Sequence, residues 1–323
     1  MKTLVTGGTG FVGANLARRL LREGHRVHLL VRPSYQRWRV SEIAADVSIG
    51  EADLEDREGV QAAIAAVKPD AVFHLAAFGA YPAQTGIERM ASTNLLGTSA
   101  LLDACIATGV GAFVQAGSSS EYGYKDHPAE ETEVVEPNSH YAITKAAATH
   151  YCRWAARKAG IHAVTLRLYS IYGPFEEPSR LIPTLLMYGM EGRLPPLVSP
   201  GTARDFVYVD DAVDAMLRVA AMPELPRGAV YNVCTGTQST LADVVSCVRD
   251  LLGVSVEPQW STMEQRVWDT DVWVGSPTAI RRDTGWRAAT GLREGVASTA
   301  AWFEEHPELI QFYRERIRLP KTR

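Results

Sequence analysis

A short apolar run, Thr3-Leu4-Val5, breaks at Thr6 into Gly7-Gly8-Thr9-Gly10-Phe11-Val12-Gly13 and then into a helical pattern. A strand, a glycine turn and a helix N-terminus in that order gather free backbone N–H groups at one point. Glycines at 7, 10 and 13 permit a tight turn, close approach to a pyrophosphate, and packing of the helix on its strand. A dinucleotide suits such a turn, although an ordinary strand-to-helix connection has the same local pattern. Gly7, Gly10, Phe11, Val12 and Gly13 are therefore candidate cofactor-binding residues.

The same alternation continues. Leu16, Leu20 and Leu21 recur at helical spacing, Gly24 closes that helix, and Arg26 to Val31 reads as the next strand. Further strands are read at Ala71 to Leu75, Gly111 to Gly117 and His162 to Leu168, each preceded by a helix: Glu58 to Val67, Asn94 to Ala107, and Tyr141 to Ala159. This order predicts an α/β fold, a Rossmann-type doubly wound parallel sheet. Past Leu168, prolines at 174, 178, 183, 195 and 196 mark irregular connections into a smaller, interleaved α/β substrate-binding lobe. Residues 1–168 are expected to form the dinucleotide-binding domain, with 169–204 and 237–323 in the second lobe. Strands at Asp205 to Val209 and Val230 to Val233 are expected to return to the first sheet, giving a return of about 205–236. Ile310 to Arg323 reads as a helix ending in a solvated basic tail.

A length of 323 residues suits two closely packed lobes. A net charge of -4 supplies no general attraction to nucleic acid or acidic membranes. Met1 leads directly into a strand and no apolar run is long enough to span a bilayer, so a soluble cytoplasmic chain is expected. Cys105, Cys152, Cys234 and Cys247 lack CxxC spacing and read as reduced thiols, with no metal site expected; His25 and His28 read as strand histidines.

Tyr141-Ala142-Ile143-Thr144-Lys145 sets a phenol and an ammonium one helical turn apart, on one face. An ammonium beside a phenol is expected to lower the tyrosine pKa toward the range of proton exchange near neutral pH, although an incidental surface pair has the same spacing. Ser118-Ser119-Ser120-Glu121-Tyr122-Gly123 follows the strand ending at Gly117, at the carboxyl edge where doubly wound sheets bind ligands.

In order along the chain come the glycine turn, His74-Leu75-Ala76-Ala77, Asn94-Leu95-Leu96-Gly97-Thr98, the serine-rich strand end, Tyr-x-x-x-Lys, Tyr172-Gly173-Pro174 and Arg204-Asp205-Phe206-Val207-Tyr208-Val209-Asp210-Asp211. With this series the chain resembles the extended short-chain dehydrogenase/reductases, the NAD-dependent epimerase/dehydratase family, over nearly its whole length. The resemblance implies that Tyr141 is the acid/base and that Lys145 binds the nicotinamide ribose. It makes Ser118 the catalytic hydroxyl, or Ser119 if the strand end is shifted by one. It adds Asp53, Leu54, Leu75, Ala76, Ala77 and Asn94 as cofactor contacts, a surface-turn aspartate being the alternative for Asp53, and Ser119, Ser120, Ser170, Arg204, Arg266 and Asp269 as substrate contacts. Arg180 reads as a further substrate contact or, equally, as an exposed structural arginine. Ser119 and Ser120 stand where sugar 4,6-dehydratases carry an acid, which disfavours dehydration; Glu121, one residue on, keeps that chemistry in view. Ser170 stands where the family often has Asn.

The second strand ends in Val31-Arg32 instead of the Asp that NAD-binding members usually carry. Arg32, with Arg37 and Arg39 nearby, favours the 2′-phosphate of NADP; stacking of Arg32 on adenine in an NAD enzyme is the competing reading. The leading expectation is an NADPH-dependent 4-ketoreductase of a nucleotide-linked deoxysugar. A nucleotide-sugar 4-epimerase holding NAD(H) is the alternative, and a non-catalytic dinucleotide sensor the third reading. Ala100, Leu101, Ala104 and Cys105 on one helix, and Ala147, Ala148, Tyr151 and Ala155 on another, offer small-residue faces. The resemblance implies a homodimer through a four-helix interface of these two helices, though the same faces suit packing on the sheet.

Overall fold

A computed structural model describes residues 1–81, 84–263 and 270–317. The first half runs β1 (Lys2–Thr6), α1 (Phe11–Arg22), β2 (Arg26–Val31), β3 (Ser48–Glu51), α2 (Arg57–Val67), β4 (Ala71–His74) and a short α3 (Ile87–Met90). A π-helical turn, Ala91–Gly97, leads into α4 (Thr98–Thr108), then β5 (Ala112–Ser118), a 3-10 turn (Ser119–Tyr122), α5 (His140–Ala159) and β6 (His162–Leu168). The second half contains β7 (Ser170–Tyr172), α6 (Leu181–Gly189), β8 (Ala203–Arg204), β9 (Phe206–Tyr208), α7 (Val209–Ala220) and β10 (Ala229–Val233). It continues with β11 (Ser239–Thr240), α8 (Leu241–Leu252), α9 (Thr278–Thr284), α10 (Leu292–Glu305) and α11 (Pro307–Ile317).

Seven parallel strands form the main sheet in the order β3-β2-β1-β4-β5-β6-β10. Strand order reverses between β1 and β4, the switch point at which such sheets open a ligand crevice. The central strands are mainly apolar because both faces are covered, with polar side chains such as His74, Gln115 and Arg167 buried among them, and neighbouring residues take opposite sides. Val5, Phe73 and Val114 face α1 and α7, whereas Leu4, Val72 and Phe113 face α2, α4 and α5. Each fully buried Leu, Val or Phe contributes about 1.5–3 kcal/mol. Cys105, Cys152 and Cys234 are buried free thiols and Cys247 is partly buried. No helix among the described residues is long and apolar enough to cross a membrane.

Two features of the second half differ from the sequence reading. Phe206–Tyr208 does not return to the main sheet; it pairs with Ser170–Tyr172 in a separate two-stranded parallel sheet, and only Ala229–Val233 joins as the seventh strand. Asp205 explains the diversion. Its carboxylate accepts from the Thr235, Gly236 and Gly275 amides and the Thr235 hydroxyl at 2.8 to 3.4 Å, holding β9 below the end of β10. The helix read at Ile310 ends at Ile317, and the basic tail lies outside the described residues.

Most of the small-residue faces are turned inward: Ala100, Leu101, Ala104, Cys105, Ala148 and Ala155 are buried within the chain itself, while Ala147 and Tyr151 remain partly exposed. The outward side of the same region instead carries Leu96, Ile143 and Trp154, each about half exposed or more.

The second lobe, built on α6, α8, α10 and α11, is joined to the first through Arg39. Its guanidinium donates to the Phe175 carbonyl (2.8 Å) and to Glu177 (2.9 Å), and it lies over the Trp38 ring. Next to this clamp sits Glu176, 7% exposed, with one carboxyl oxygen lacking a hydrogen-bond partner among the described residues. Burial pushes its carboxyl group up to about 8 against the pull of Arg180. Between the ordinary glutamate range and pH 8 the folded chain retains a proton that the unfolded chain has released, so stability falls as pH rises through that window. Thermal melts of wild type are expected to drop from about pH 5 to about pH 8, and those of Glu176→Gln to drop less.

Candidate active site

At the carboxyl end of β1, Gly7 takes φ +71° and packs so closely on the loop after β4 that a Cβ would lie 2.6 Å from the Ala76 amide nitrogen. A Cβ on Gly13 would lie 2.2 Å from the Gly7 carbonyl oxygen. Gly10 is the N-cap of α1, without a side-chain cap and with no acid in the first turn. Phe11 and Val12 are only partly buried. Uncapped N–H groups at the positive end of a helix, approached through a surface with no room for side chains, fit a pyrophosphate.

A line of hydrogen bonds leads from this turn into the sheet. The Ala76 amide donates to the Thr6 hydroxyl (3.3 Å), which contacts His74 Nδ1 (2.7 Å); His74 Nε2 contacts the Thr98 hydroxyl (2.8 Å), which donates to the Asn94 carbonyl (2.6 Å). Burial, aided by the nearby Lys145 charge, pushes His74 down to about 3, so the ring is neutral. Because the Thr98 hydroxyl gives its proton to the Asn94 carbonyl, it accepts from His74, which assigns the ring proton to Nε2 and leaves Nδ1 to accept from Thr6. Asn94 projects from the π-helical turn. Its amide group pairs with both backbone atoms of Phe78 (2.8 Å each) and donates to the Thr144 hydroxyl (3.0 Å), which in turn donates to the Tyr141 carbonyl (2.9 Å). Extra-residue turns of this kind are common at functional sites.

Ser139 caps α5 by accepting from the Ala142 amide, which fixes the first turn that carries Tyr141. Tyr141 lies near enough to Ser118 for the serine side chain to favour its ionised form. Ser119 is turned away, its hydroxyl accepting from Trp273 Nε1 at 3.1 Å. Ser120 contacts the Ser118 hydroxyl at 2.7 Å. Lys145, 3% exposed, donates to the Ala116 carbonyl at 2.6 Å. The expected lowering of the tyrosine pKa is not what this arrangement produces. Burial, reinforced by Glu121, pushes the Tyr141 phenol up to about 12 against Ser118 and Arg180, because the Lys145 ammonium is directed at a carbonyl instead of the phenol. Burial lowers Lys145 itself, with Glu121 opposing. Glu121 is no free acid for a dehydration: it is fully buried and bonded to Arg167 at 2.9 Å.

The remaining candidates surround this centre. Leu54 is buried under Gly97 and Asp53 forms a local turn with the Glu55 amide (3.1 Å). Leu75, Ala76 and Ala77 are partly buried on the loop after β4, and Ser170 is partly buried in β7. Arg180 is exposed at the start of α6, over the Tyr81 ring at 5.8 Å. Arg204 lies over Trp273 at 5.4 Å and donates to the Ala203 carbonyl at 2.7 Å. Arg266 and Asp269 lie outside the described residues. Arg32 is exposed past the end of β2 and Arg37 lies over Tyr35, but Arg39 is committed to the lobe clamp and is unavailable to a cofactor phosphate. Trp273 and Tyr81 were not apparent from the sequence, since neither belongs to a spaced motif. No group of three or more metal-ligating side chains occurs among the described residues.

The family model described as the NAD dependent epimerase/dehydratase family matches residues 3–234. The chain belongs to this family. A UDP-glucose 4-epimerase from Thermotoga maritima, solved with UDP-glucose, is 27% identical with a TM-score of 0.85, covering 95% of this chain and 100% of that one. The UDP-glucose 4-epimerase of Thermus thermophilus, solved in complex with NAD, is 31% identical with a TM-score of 0.81, covering 94% and 99%. The trifunctional UDP-glucose 4,6-dehydratase/UDP-4-keto-6-deoxy-D-glucose 3,5-epimerase/UDP-4-keto-L-rhamnose-reductase of Arabidopsis thaliana is 25% identical; the match takes 94% of this chain but 47% of that protein's length. Membership supports an NAD(P) dinucleotide cofactor, and the NAD in the Thermus structure gives no support to a preference for NADP.

Gly13→Ala is expected to abolish measurable dinucleotide binding, because the added methyl overlaps the Gly7 carbonyl that shapes the turn. Fluorescence titration with NADH and with NADPH checks this. Ala14→Gly, one residue along in the same helix, is expected to cost about 1 kcal/mol of stability and leave binding intact.

Proposed function

We propose that this protein is a nucleotide-sugar 4-epimerase working with tightly held NAD. The observation that carries the reading is the gathering of Ser118, Tyr141 and Lys145 at the end of β5, with hydroxyls at Ser119 and Ser120 where a dehydratase needs an acid. The 4-epimerase identity of the two solved relatives supports it over the ketoreductase. The dinucleotide would lie on Gly7, Gly10, Phe11, Val12 and Gly13, with Asp53 and Leu54 toward the adenine and Leu75, Ala76, Ala77 and Asn94 along its length. When bound it supplies the group that accepts and returns a hydride. Tyr141 would take the proton of the sugar O4 as C4 is oxidised, which requires the phenolate and so a fall of its pKa from about 12 under the positive charge of the oxidised nicotinamide, and would give the proton back on reduction. Ser118 would hydrogen-bond the same oxygen and polarise the carbonyl of the keto sugar. Turning that keto sugar over between the two half-reactions inverts C4. Lys145, which donates to the Ala116 carbonyl here, would exchange that acceptor for the nicotinamide ribose and so bring its charge to bear on Tyr141. Ser120, Ser170, Arg180 and Arg204 would border the space for the sugar and its diphosphate, guanidinium groups being suited to phosphate oxygens, while Ser119 would contribute only on release from Trp273.

One observation favours the second reading, an NADPH-dependent 4-ketoreductase: the exposed Arg32 at the end of β2, in the place of a ribose-binding acid. Incubation with UDP-glucose and its dTDP, GDP and CDP counterparts without added cofactor, alongside incubation of a 4-keto nucleotide sugar with NADPH, separates the two. Interconversion at C4 with no net change in nicotinamide absorbance is expected; stoichiometric consumption of NADPH by a 4-keto sugar, with no interconversion, sinks the epimerase. Tyr141→Phe is expected to reduce kcat by about 10²–10⁴-fold while the dinucleotide remains bound.

A homodimer through α4 and α5 accompanies this reading. Ile143 and Trp154 lie about three turns apart on one side of α5, and Leu96 is exposed in the adjoining π-helical turn. Ile143→Glu combined with Trp154→Glu is expected to halve the mass seen by sedimentation equilibrium; an unchanged mass excludes this surface.

A further inference from the structure

Under the serine-rich turn lies a buried charge pair that the reaction as described does not use. Glu121 is 0% exposed and accepts three hydrogen bonds from three elements. Its Oε1 takes the Ser118 amide at the end of β5 (2.9 Å) and the Thr149 hydroxyl of α5 (3.1 Å); its Oε2 takes Arg167 Nε of β6 (2.9 Å). We propose that Glu121, together with Arg167, is the positioning residue of this site, locking the backbone of Ser118 and the Tyr141–Lys145 face of α5 to a single buried anchor.

The local geometry is built around that carboxylate. Gly117 leaves room for it: a Cβ there would stand 2.9 Å from Glu121 Oε1. Ser118 and Glu121 close a reciprocal capping box over the 3-10 turn, so the serine backbone has no freedom to rotate away. Thr149 continues the stripe of Tyr141 and Lys145 by one further turn, at i, i+4 and i+8, so one contact sets the rotation and height of all three. Arg167 is pinned in its turn. Its guanidinium lies over the Tyr122 ring at 4.4 Å, and the Tyr122 hydroxyl donates to Asn232 at 2.8 Å.

The charge of Glu121 also reaches the reacting groups. It raises the proton affinity of Tyr141 and offsets the effect of burial on Lys145. The other groups acting on Tyr141 are Ser118 on β5, Arg180 before α6 and Tyr81 on the loop after β4; Lys145 has Cys152 on its own helix and His74 on β4. Of these only Glu121 acts on both members of the pair. Removing its charge therefore lets Tyr141 lose its proton at lower pH.

The inference rests on the reading of Ser118, Tyr141 and Lys145 as the reacting set, so its test has a readout that needs no substrate. Tyrosines isotopically labelled at Cζ are followed by NMR against pH, the Tyr141 signal being assigned by its loss in Tyr141→Phe. In Glu121→Gln the Tyr141 titration is expected to move down by about one pH unit. Its kcat is expected to fall by about ten-fold or more with KM little changed. Glu121→Gln combined with Arg167→Met removes both charges and is expected to show the same shift should the lone Arg167 charge prevent the single variant from folding. Thr149→Val keeps the carboxylate and is expected to lower kcat several-fold with the Tyr141 titration unmoved. A folded Glu121 variant that titrates and turns over like wild type overturns the proposal, as does a loss of turnover that follows only the folded fraction while Tyr141 titrates normally. Absence of turnover in the wild type with the Tyr141 shift intact counts against the epimerase and leaves the role of Glu121 standing.

Discussion

The gap between β1 and β4 is the constraint on which the rest of the molecule depends. Two parallel strands whose connections leave in opposite directions create a crevice, and the backbone of Gly7 lies against Ala76 with no room for a side chain. From that contact, hydrogen bonds pass through Thr6, His74, Thr98, Asn94 and Thr144 to the backbone of Tyr141. The turn that suits a phosphate and the helix that carries the phenol are thus parts of one framework. A neutral His74 suits that role: a protonated ring would compete with its donor neighbour and oppose Lys145.

Buried carboxylates fix the parts that the sheet alone cannot. Asp205 gathers three amides and a hydroxyl around the start of β9, and Asp211 accepts from the Ala289 and Thr290 amides, drawing the segment before α10 onto α7. In each case a carboxylate removed from water is compensated by several donors, as its desolvation requires. Glu176 lacks that compensation at one oxygen, and its raised proton affinity is the consequence.

Where the apolar run is long and buried on both faces, sequence and structure agree closely: Arg26–Val31 and His162–Leu168 have the same bounds in both. The strand β3 was not apparent because Ser48–Glu51 is exposed throughout and offers one large apolar residue, Ile49, so neither alternation nor a buried run marks it. The partner of Phe206–Tyr208 was misread for another reason. Its β propensity is local, but its choice of sheet depends on Asp205 meeting residues some thirty positions and seventy positions away. At the candidate site, Ser118, Tyr141 and Lys145 follow from spaced motifs, whereas Trp273 reaches Ser119 across the chain from a segment with no periodic signal. The tyrosine environment was the hardest to foresee, because a spacing of four residues puts Lys145 on the right face without saying which acceptor its ammonium finds.

The turn at Ala91–Gly97 affects how this chain can be edited or compared. A π-helical turn holds one residue more than an α-helical one. Deleting a single residue there would regularise the helix and improve its local hydrogen bonding. The remaining residues would still complete the turn, so the helix on either side would keep its face. What would change is the widened turn itself, from which Asn94 reaches both Phe78 and Thr144. A design that idealises this segment at the expense of Asn94 would disconnect the tyrosine helix from the strand beneath the cofactor turn while leaving the helix outwardly intact.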